Sequence, residues 1–84
     1  MALFMDVHDG MKGITEEQLK QEHAKDLRAE SGEKGVHFIK AWADPNTGQG
    51  FCLSEGPNMA AVKRVHEKAG HPASETYELS VTVE

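Results

Sequence analysis

The pattern of hydrophobic and polar positions in the first half of the chain predicts a strand followed by a helix. Residues 2–8 alternate in polarity, which is typical of a strand and places Asp6 and His8 on the same side of it. After a glycine-rich loop, Thr15 can cap a helix, with Gln18 three residues on as its capping-box partner. Apolar residues at four-residue spacing continue this helix to about residue 31, and the glycines that follow are expected to end it.

The second half of the chain predicts two strands, a second helix and a last strand. Residues 36–43 and 51–55 alternate, and the segment between them is dense in the Asp, Asn, Pro and Gly residues that form turns. Asn58 is the expected cap of the second helix, and Gly70 is its expected end. Residues 77–83 alternate again and are expected to form the final strand.

The resulting order, β-α-β-β-α-β, predicts an α+β sandwich of the ferredoxin-like type. Two interleaved right-handed βαβ units give a four-stranded antiparallel sheet, with the first and third strands at its centre and both helices on one face. A length of 84 residues is enough for one domain, which we place at residues 1–84.

The sheet face away from the helices is expected to be apolar. If the small residues of the second and third strands pack under the helices, the bulky side chains lie on the other face: Phe4, Phe38, Trp42, Phe51 and Leu53. An apolar surface of this size favours a homodimer in which two copies pack sheet against sheet about a two-fold axis. A register that differs by one residue would exchange the two faces.

Composition and charge exclude several classes of partner. The chain has 9 Lys and Arg against 14 Asp and Glu, for a net charge of −5, which argues against binding to nucleic acid or to an anionic membrane surface. No stretch approaches the roughly 20 apolar residues of a membrane span, and the first residues lack the basic start of a signal peptide. With Cys52 as its single cysteine, the chain is expected to be cytoplasmic.

Five histidines in a chain this short suggest that the protein binds a metal ion, because imidazole is a common metal ligand. By strand periodicity, Asp6, His8 and Glu55 point to the sheet face away from the helices, and the first and third strands are neighbours in this fold. We therefore expect two carboxylates and an imidazole to converge. Such mixed nitrogen and oxygen donors suit Ni, Zn, Co or Cu.

Several segments match, in order, those of a known family. They are Asp6-Val7-His8, His23-Ala24-Lys25-Asp26-Leu27, Ala41-Trp42-Ala43-Asp44, Phe51-Cys52-Leu53-Ser54-Glu55-Gly56-Pro57 and Val65-His66-Glu67-Lys68-Ala69-Gly70. The chain resembles the small nickel-binding proteins of ferredoxin-like fold, many of which are described only as a domain of unknown function. The resemblance implies a homodimer that binds nickel. The matching positions with polar or metal-binding side chains are Asp6, His8, His23, Cys52, Glu55 and His66.

The favoured interpretation is a small protein that holds a divalent transition metal, which the resemblance implies to be nickel. Its ligands are expected among five residues: Asp6, His8, His23, Glu55 and His66. No nucleophile motif, phosphate-binding glycine loop, CxxC pair or HExxH motif is present. Two alternatives stay open. One is a small dimeric enzyme with His8 and Glu55 as an acid–base pair in a hydrophobic pocket, and the other is an interaction module without chemistry.

Overall fold

The computed structural model describes residues 2–84 and has the predicted element order. The strands are β1 (Ala2–His8), β2 (His37–Asp44), β3 (Gln49–Gly56) and β4 (Glu75–Leu79), and the helices are α1 (Glu16–Ala29) and α2 (Met59–Ala69). A single 3₁₀ turn, Glu30–Gly32, extends α1 to the region where the sequence predicts its end. The four strands form one antiparallel sheet in the order β2-β3-β1-β4, which confirms the ferredoxin-like α+β sandwich.

Both helices begin at their predicted capping residues, and α2 also ends at its predicted glycine. The Thr15 side chain accepts a hydrogen bond from the Gln18 backbone N–H, and the Gln18 side chain accepts one from the Thr15 N–H. Asn58 caps α2 by accepting from the Ala61 N–H. Gly70 ends α2 in the left-handed conformation, with φ of 88°, which a residue without a Cβ adopts without strain.

The core lies between the helices and one face of the sheet. Its buried apolar side chains come from β1, from β2 and the residue before it, from β3 and from α2: Phe4, Val36, Phe38, Cys52, Ala61, Val62 and Val65. Phe4 is opposite Ser54 in the β1–β3 ladder, and Phe38 is opposite the same Ser54 in the β2–β3 ladder. Directly opposite residues share a face, so these two phenylalanines lie under the helices.

The prediction that Phe4 and Phe38 face away from the helices is therefore wrong. For Phe4, both sides of β1 carry enough apolar residues to pack on the helices, and the alternation alone does not select between them. For Phe38, a bulge between Phe38 and Lys40 inserts Ile39 as an extra residue, so that Phe38 and Trp42 lie on opposite faces of the sheet.

The opposite face of the sheet, called the open face below, is apolar as predicted. The register places on it the apolar Leu3, Met5, Val7, Trp42, Phe51, Leu53, Tyr77 and Leu79, together with the polar or charged His37, Lys40, Asp44, Gln49, Glu55 and Glu75. Trp42 and Tyr77 are 42% and 48% exposed, and Ile39 at the bulge is 48% exposed. Trp42, Phe51 and Leu53 thus lie where the sequence places them.

The last strand is shorter than its alternation predicts. Leu79 pairs with Leu3, one residue from the start of β1 at Ala2, so the residues that follow have almost no neighbouring strand to pair with. Val81 and Val83 are consequently 85% and 91% exposed. Within residues 2–84, no helix is both long enough and apolar enough to cross a membrane.

Candidate metal centre

A network of charged and polar side chains lies buried between the sheet and the helices. At its centre is His66 on α2, which is fully buried. Its Nε2 lies 2.8 Å from Asp6 Oδ2 on β1, and its Nδ1 lies 3.1 Å from Asp26 Oδ1 on α1. Both carboxylates are also buried, so one imidazole bridges three elements of the fold.

Two further residues complete the hydrogen bonds of these carboxylates. The Thr76 hydroxyl on β4 donates to Asp6 Oδ1 at 2.7 Å, and His71 Nε2 lies 2.7 Å from Asp26 Oδ1. His71 follows the glycine cap of α2, and its backbone N–H donates to the His66 carbonyl. The cap thus turns the chain so that His71 lies beside the helix that carries His66.

The two carboxylates stabilise a protonated His66. Burial disfavours the charged imidazole, but the hydrogen bonds to Asp26 and Asp6 outweigh burial and raise the pKa of His66 to about 9. For Asp26, burial favours the neutral acid, yet the hydrogen bonds from His66 and His71 are stronger and lower its pKa. At neutral pH His66 therefore donates both of its N–H groups, one to each carboxylate.

His8 lies beside this charged network with no hydrogen bond of its own. Its ring is 4.5 Å from the His66 ring and 5.6 Å from the His71 ring, centre to centre. Both of its nitrogens are buried and lack a hydrogen-bond partner among the described residues. Burial, followed by the charges of His66 and His71, lowers the pKa of His8, so this imidazole is neutral.

Cys52 is the remaining potential ligand near His8. It faces Asp6 across the β1–β3 ladder, and burial raises the pKa of its thiol to about 12. One potential ligand atom from each of His8, Cys52 and His66 lies within 4.8 Å of the other two. A second group with the same spacing consists of Asp26, His66 and His71. These are the two groups in residues 2–84 that could hold a metal ion.

Asp6, His8 and His66 are thus brought together, whereas Glu55 and His23 are not among these groups. Glu55 is opposite Leu3 and His37, on the open face, while Asp6 is opposite Cys52 under the helices. The expectation that Asp6, His8 and Glu55 share the face away from the helices is wrong for Asp6 and His8, which lie under the helices on the same side of β1 as Phe4. Glu55 stays on the open face, three residues from Cys52 on an alternating strand. His23 is half-buried on α1, and its Nδ1 has no partner among the described residues. Which residues bind a metal stays a prediction.

The same register separates the acid–base pair of the enzyme alternative. His8 is under the helices and Glu55 is on the open face. The aromatic residues expected to line its pocket are also divided, since Phe4 and Phe38 are in the core and Trp42 is on the open face. The sheet itself therefore lies between the two members of the proposed pair.

Asp26, His71 and Thr76 belong to the network, although sequence reasoning did not select them as site residues. Asp26 could have been identified from helical spacing, because it lies three residues after His23, on the side of α1 that packs inward. No sequence pattern identifies His71 or Thr76, since their positions depend on the turn after Gly70 and on the pairing of β4 with β1.

A comparison with family models matches residues 4–79 to the nickel responsive protein SCO4226-like family. The chain belongs to this SCO4226-like family. Its structure is also similar to the crystal structure of SCO4226 from Streptomyces coelicolor A3(2), with a TM-score of 0.93 and 56% sequence identity over 98% of this chain and 100% of that chain. No curated protein matches the sequence. Membership in the SCO4226-like family confirms the resemblance stated from the sequence.

The charged network predicts how stability depends on pH. Because the folded pKa of His66, about 9, is above its unfolded value of 6.5, its stabilisation is complete below pH 6.5 and is lost as the pH rises to 9. We expect the free energy of unfolding, measured by urea denaturation, to fall by roughly 3 kcal/mol over this interval. His8 acts in the opposite sense, because its lowered pKa reduces stability as the pH falls below 6.5.

Two variants isolate the contribution of His66. Asp6→Asn removes one of its charged partners and is expected to reduce the decline in the free energy of unfolding between pH 6.5 and 9. His37→Gln removes an exposed histidine of β2 and should leave the decline unchanged. If the free energy of unfolding declined equally between pH 6.5 and 9 in the parent protein and in Asp6→Asn, the decline could not be assigned to His66.

Proposed function

We propose that this chain binds a divalent transition metal ion, with nickel as its native ion, at the buried group of His8, Cys52 and His66. The observation that carries the proposal is His8, whose two nitrogens are buried without a hydrogen-bond partner beside a thiol and a second imidazole. A buried polar group without a partner costs about 1–3 kcal/mol, and a bound ion would offset this cost. Membership in a nickel-responsive family supports the choice of metal.

The donor set fits a transition metal. Imidazole and thiolate are ligands of Ni, Zn, Co and Cu, whereas Mg and Ca prefer carboxylate and carbonyl oxygens. Binding requires the Cys52 thiolate and a neutral His66, so the ion must displace two protons: one from a thiol whose pKa burial raises to about 12, and one from an imidazolium whose pKa is about 9. The affinity is therefore expected to rise with pH.

In this proposal the two buried carboxylates orient the ligands and are not ligands themselves. Both oxygens of Asp6 already accept hydrogen bonds, one from His66 and one from Thr76. If His66 exchanges one carboxylate for the ion, the hydrogen bond to the other carboxylate still fixes its ring. Such outer partners set the orientation and basicity of a ligating histidine. Asp6 thus has a supporting role that differs from the one expected from the sequence.

Calorimetric titration of the tag-free protein with Ni²⁺ tests the site. We expect the parent protein to bind one ion per chain at this site, and His8→Ala to weaken binding by more than about 100-fold, because it removes a ligand and not an outer partner. Cys52→Ser should weaken it as well while keeping the volume of the side chain. His37→Ala is the matched control, because it removes an exposed histidine on the open-face side of β2.

Two results would contradict the proposal: no heat from the parent protein, or equal affinity in the parent and in His8→Ala. Stability that changes in His8→Ala without any change in Ni²⁺ binding would favour the interaction module, in which the histidines are structural.

We also propose that the open face is covered by a second copy of the chain. Ile39, Trp42 and Tyr77 are each between 42% and 48% exposed, and they continue into the partly buried Phe51 and Leu53. A monomer seldom leaves a contiguous apolar surface of this kind in water. Lys40 and Glu55 lie on the same face with opposite charge, so two copies related by a two-fold axis can pair them across the interface.

Light scattering after size exclusion at micromolar concentration tests the dimer. The parent protein should have twice the 9.2 kDa mass of the chain. Trp42→Glu introduces a charge into the open face and should give a monomer, whereas Lys63→Glu, an exposed change on α2, should remain dimeric. A monomeric parent protein would contradict the proposal.

A further inference from the structure

The buried network is accessible to solvent at one corner. Asp6, His8, Asp26 and His66 are between 0% and 2% exposed, whereas the side chain of His71 is 15% exposed and that of its neighbour Glu22 is 31% exposed. An ion from solution must pass a solvent-exposed part of the cluster to reach His8. His71 and Glu22 form this exposed edge.

A surface cleft borders this corner at Glu22. It has a volume of about 480 Å³ and lies between the loop that follows β1 and the outer turns of α1. Its lining consists of Gly10, Met11, Lys12, Gly13, Ile14, Gln18, Gln21 and Glu22. Glu22 lines the cleft and also lies beside His71, so it is the residue that the cleft shares with the exposed edge of the cluster.

His71 is oriented as a metal-ligating histidine would be. Its Nε2 is held by the carboxylate of Asp26 at 2.7 Å, which leaves Nδ1 with the lone pair when the ring is neutral. That Nδ1 is buried from solvent and has no hydrogen-bond partner among the described residues. A carboxylate that fixes one ring nitrogen while the other binds an ion is the usual arrangement around metal-bound histidine.

The carboxylate of Glu22 is correctly spaced for the same ion. Its Oε2 pairs with Lys25 Nζ at 2.8 Å, whereas its Oε1 lies 3.7 Å from His71 Nδ1, which is too long for a hydrogen bond. Two ligands that are each about 2.1 Å from one ion are separated by roughly 3 to 4.2 Å, and the observed distance falls within this range. The distance between the two atoms thus suits two ligands of one cation and is too long for a direct hydrogen bond.

We propose that His71 and Glu22 form an outer cation site where Glu22 borders the cleft. This site takes a divalent transition metal ion from solution and passes it to His8, Cys52 and His66. The transfer step rests on the function proposed above, but the outer site itself does not. Its two protein ligands leave the remaining positions to water, so it binds more weakly than the inner site. His71 is 5.6 Å from His8 and 5.5 Å from His66, centre to centre, so the ion moves only a short distance.

The outer site is tested in the His8→Ala variant, in which the inner site lacks a ligand. Ni²⁺ is paramagnetic, so a substoichiometric amount should broaden the amide NMR signals of residues 20–23 and 70–73 in this variant. Adding Glu22→Gln or His71→Asn should abolish the broadening. Glu17→Gln, which removes the same charge from an exposed position of the same helix, should not. Absence of broadening at these residues, or broadening that persists in Glu22→Gln and His71→Asn, would overturn the outer site.

The transfer step is tested by the rate at which Co²⁺ reaches Cys52, followed by its thiolate charge-transfer absorption in stopped flow. Glu22→Gln and His71→Asn should slow the appearance of this absorption by about tenfold or more, with the final amplitude unchanged, because a charged entry site raises the rate of association. If the absorption appeared as fast in both variants as in the parent protein, the proposed transfer would be overturned, while the proposed inner site would still stand. No absorption in the parent protein would overturn the transfer and the inner site together, while the NMR result decides the outer site independently.

Discussion

One imidazole held between two buried carboxylates organises the interior of this small protein. Asp6 and Asp26 come from β1 and α1, and each would be costly to bury as an isolated charge. His66 from α2 satisfies both, and its protonation partly compensates their negative charge. Removing one member of such a buried set typically costs about 3–5 kcal/mol, because the remaining charge loses its partner. The network therefore fixes how α1, α2 and β1 pack on one another, in a domain whose apolar core is small.

The same network explains why His8 is available as a ligand. Each carboxylate oxygen named in the network already accepts a hydrogen bond, so His8 finds no acceptor there and lies neutral beside a positively charged ring. A neutral imidazole with a free lone pair is the form that binds a metal ion. The cost of leaving this group unpaired is consistent with a site that binds a ligand, and the negative carboxylates that surround it favour a cation. The corner formed by His71 and Glu22 then supplies the route by which that cation enters.

The sequence predicted the elements of the fold well because their signals are local. Thr15, Asn58 and Gly70 act on the backbone within a few residues, and each does what its chemistry requires. The side of β1 that faces the helices was predicted wrongly, because Leu3, Met5 and Val7 are as apolar as the side that carries Phe4. The bulge at Ile39 and the approach of Asp26 to His66 depend on contacts across 15 to 40 residues, which no local pattern records. Asp6, His8 and His66 were all selected as candidate ligands, but Asp6 and His8 were expected on the face away from the helices. They meet His66 because β1 has the opposite orientation.

The central claim is that His66 is a buried imidazolium and His8 a buried neutral imidazole, although the two rings are 4.5 Å apart. Long-range ¹H–¹⁵N NMR of the metal-free protein reports the protonation of both nitrogens of each ring. At pH 7.5 we expect His66 to have the nitrogen chemical shifts of a doubly protonated ring and to titrate near pH 9. We expect His8 to have the shifts of a neutral ring. A neutral His66 at pH 7.5, or a protonated His8 at that pH, would contradict it.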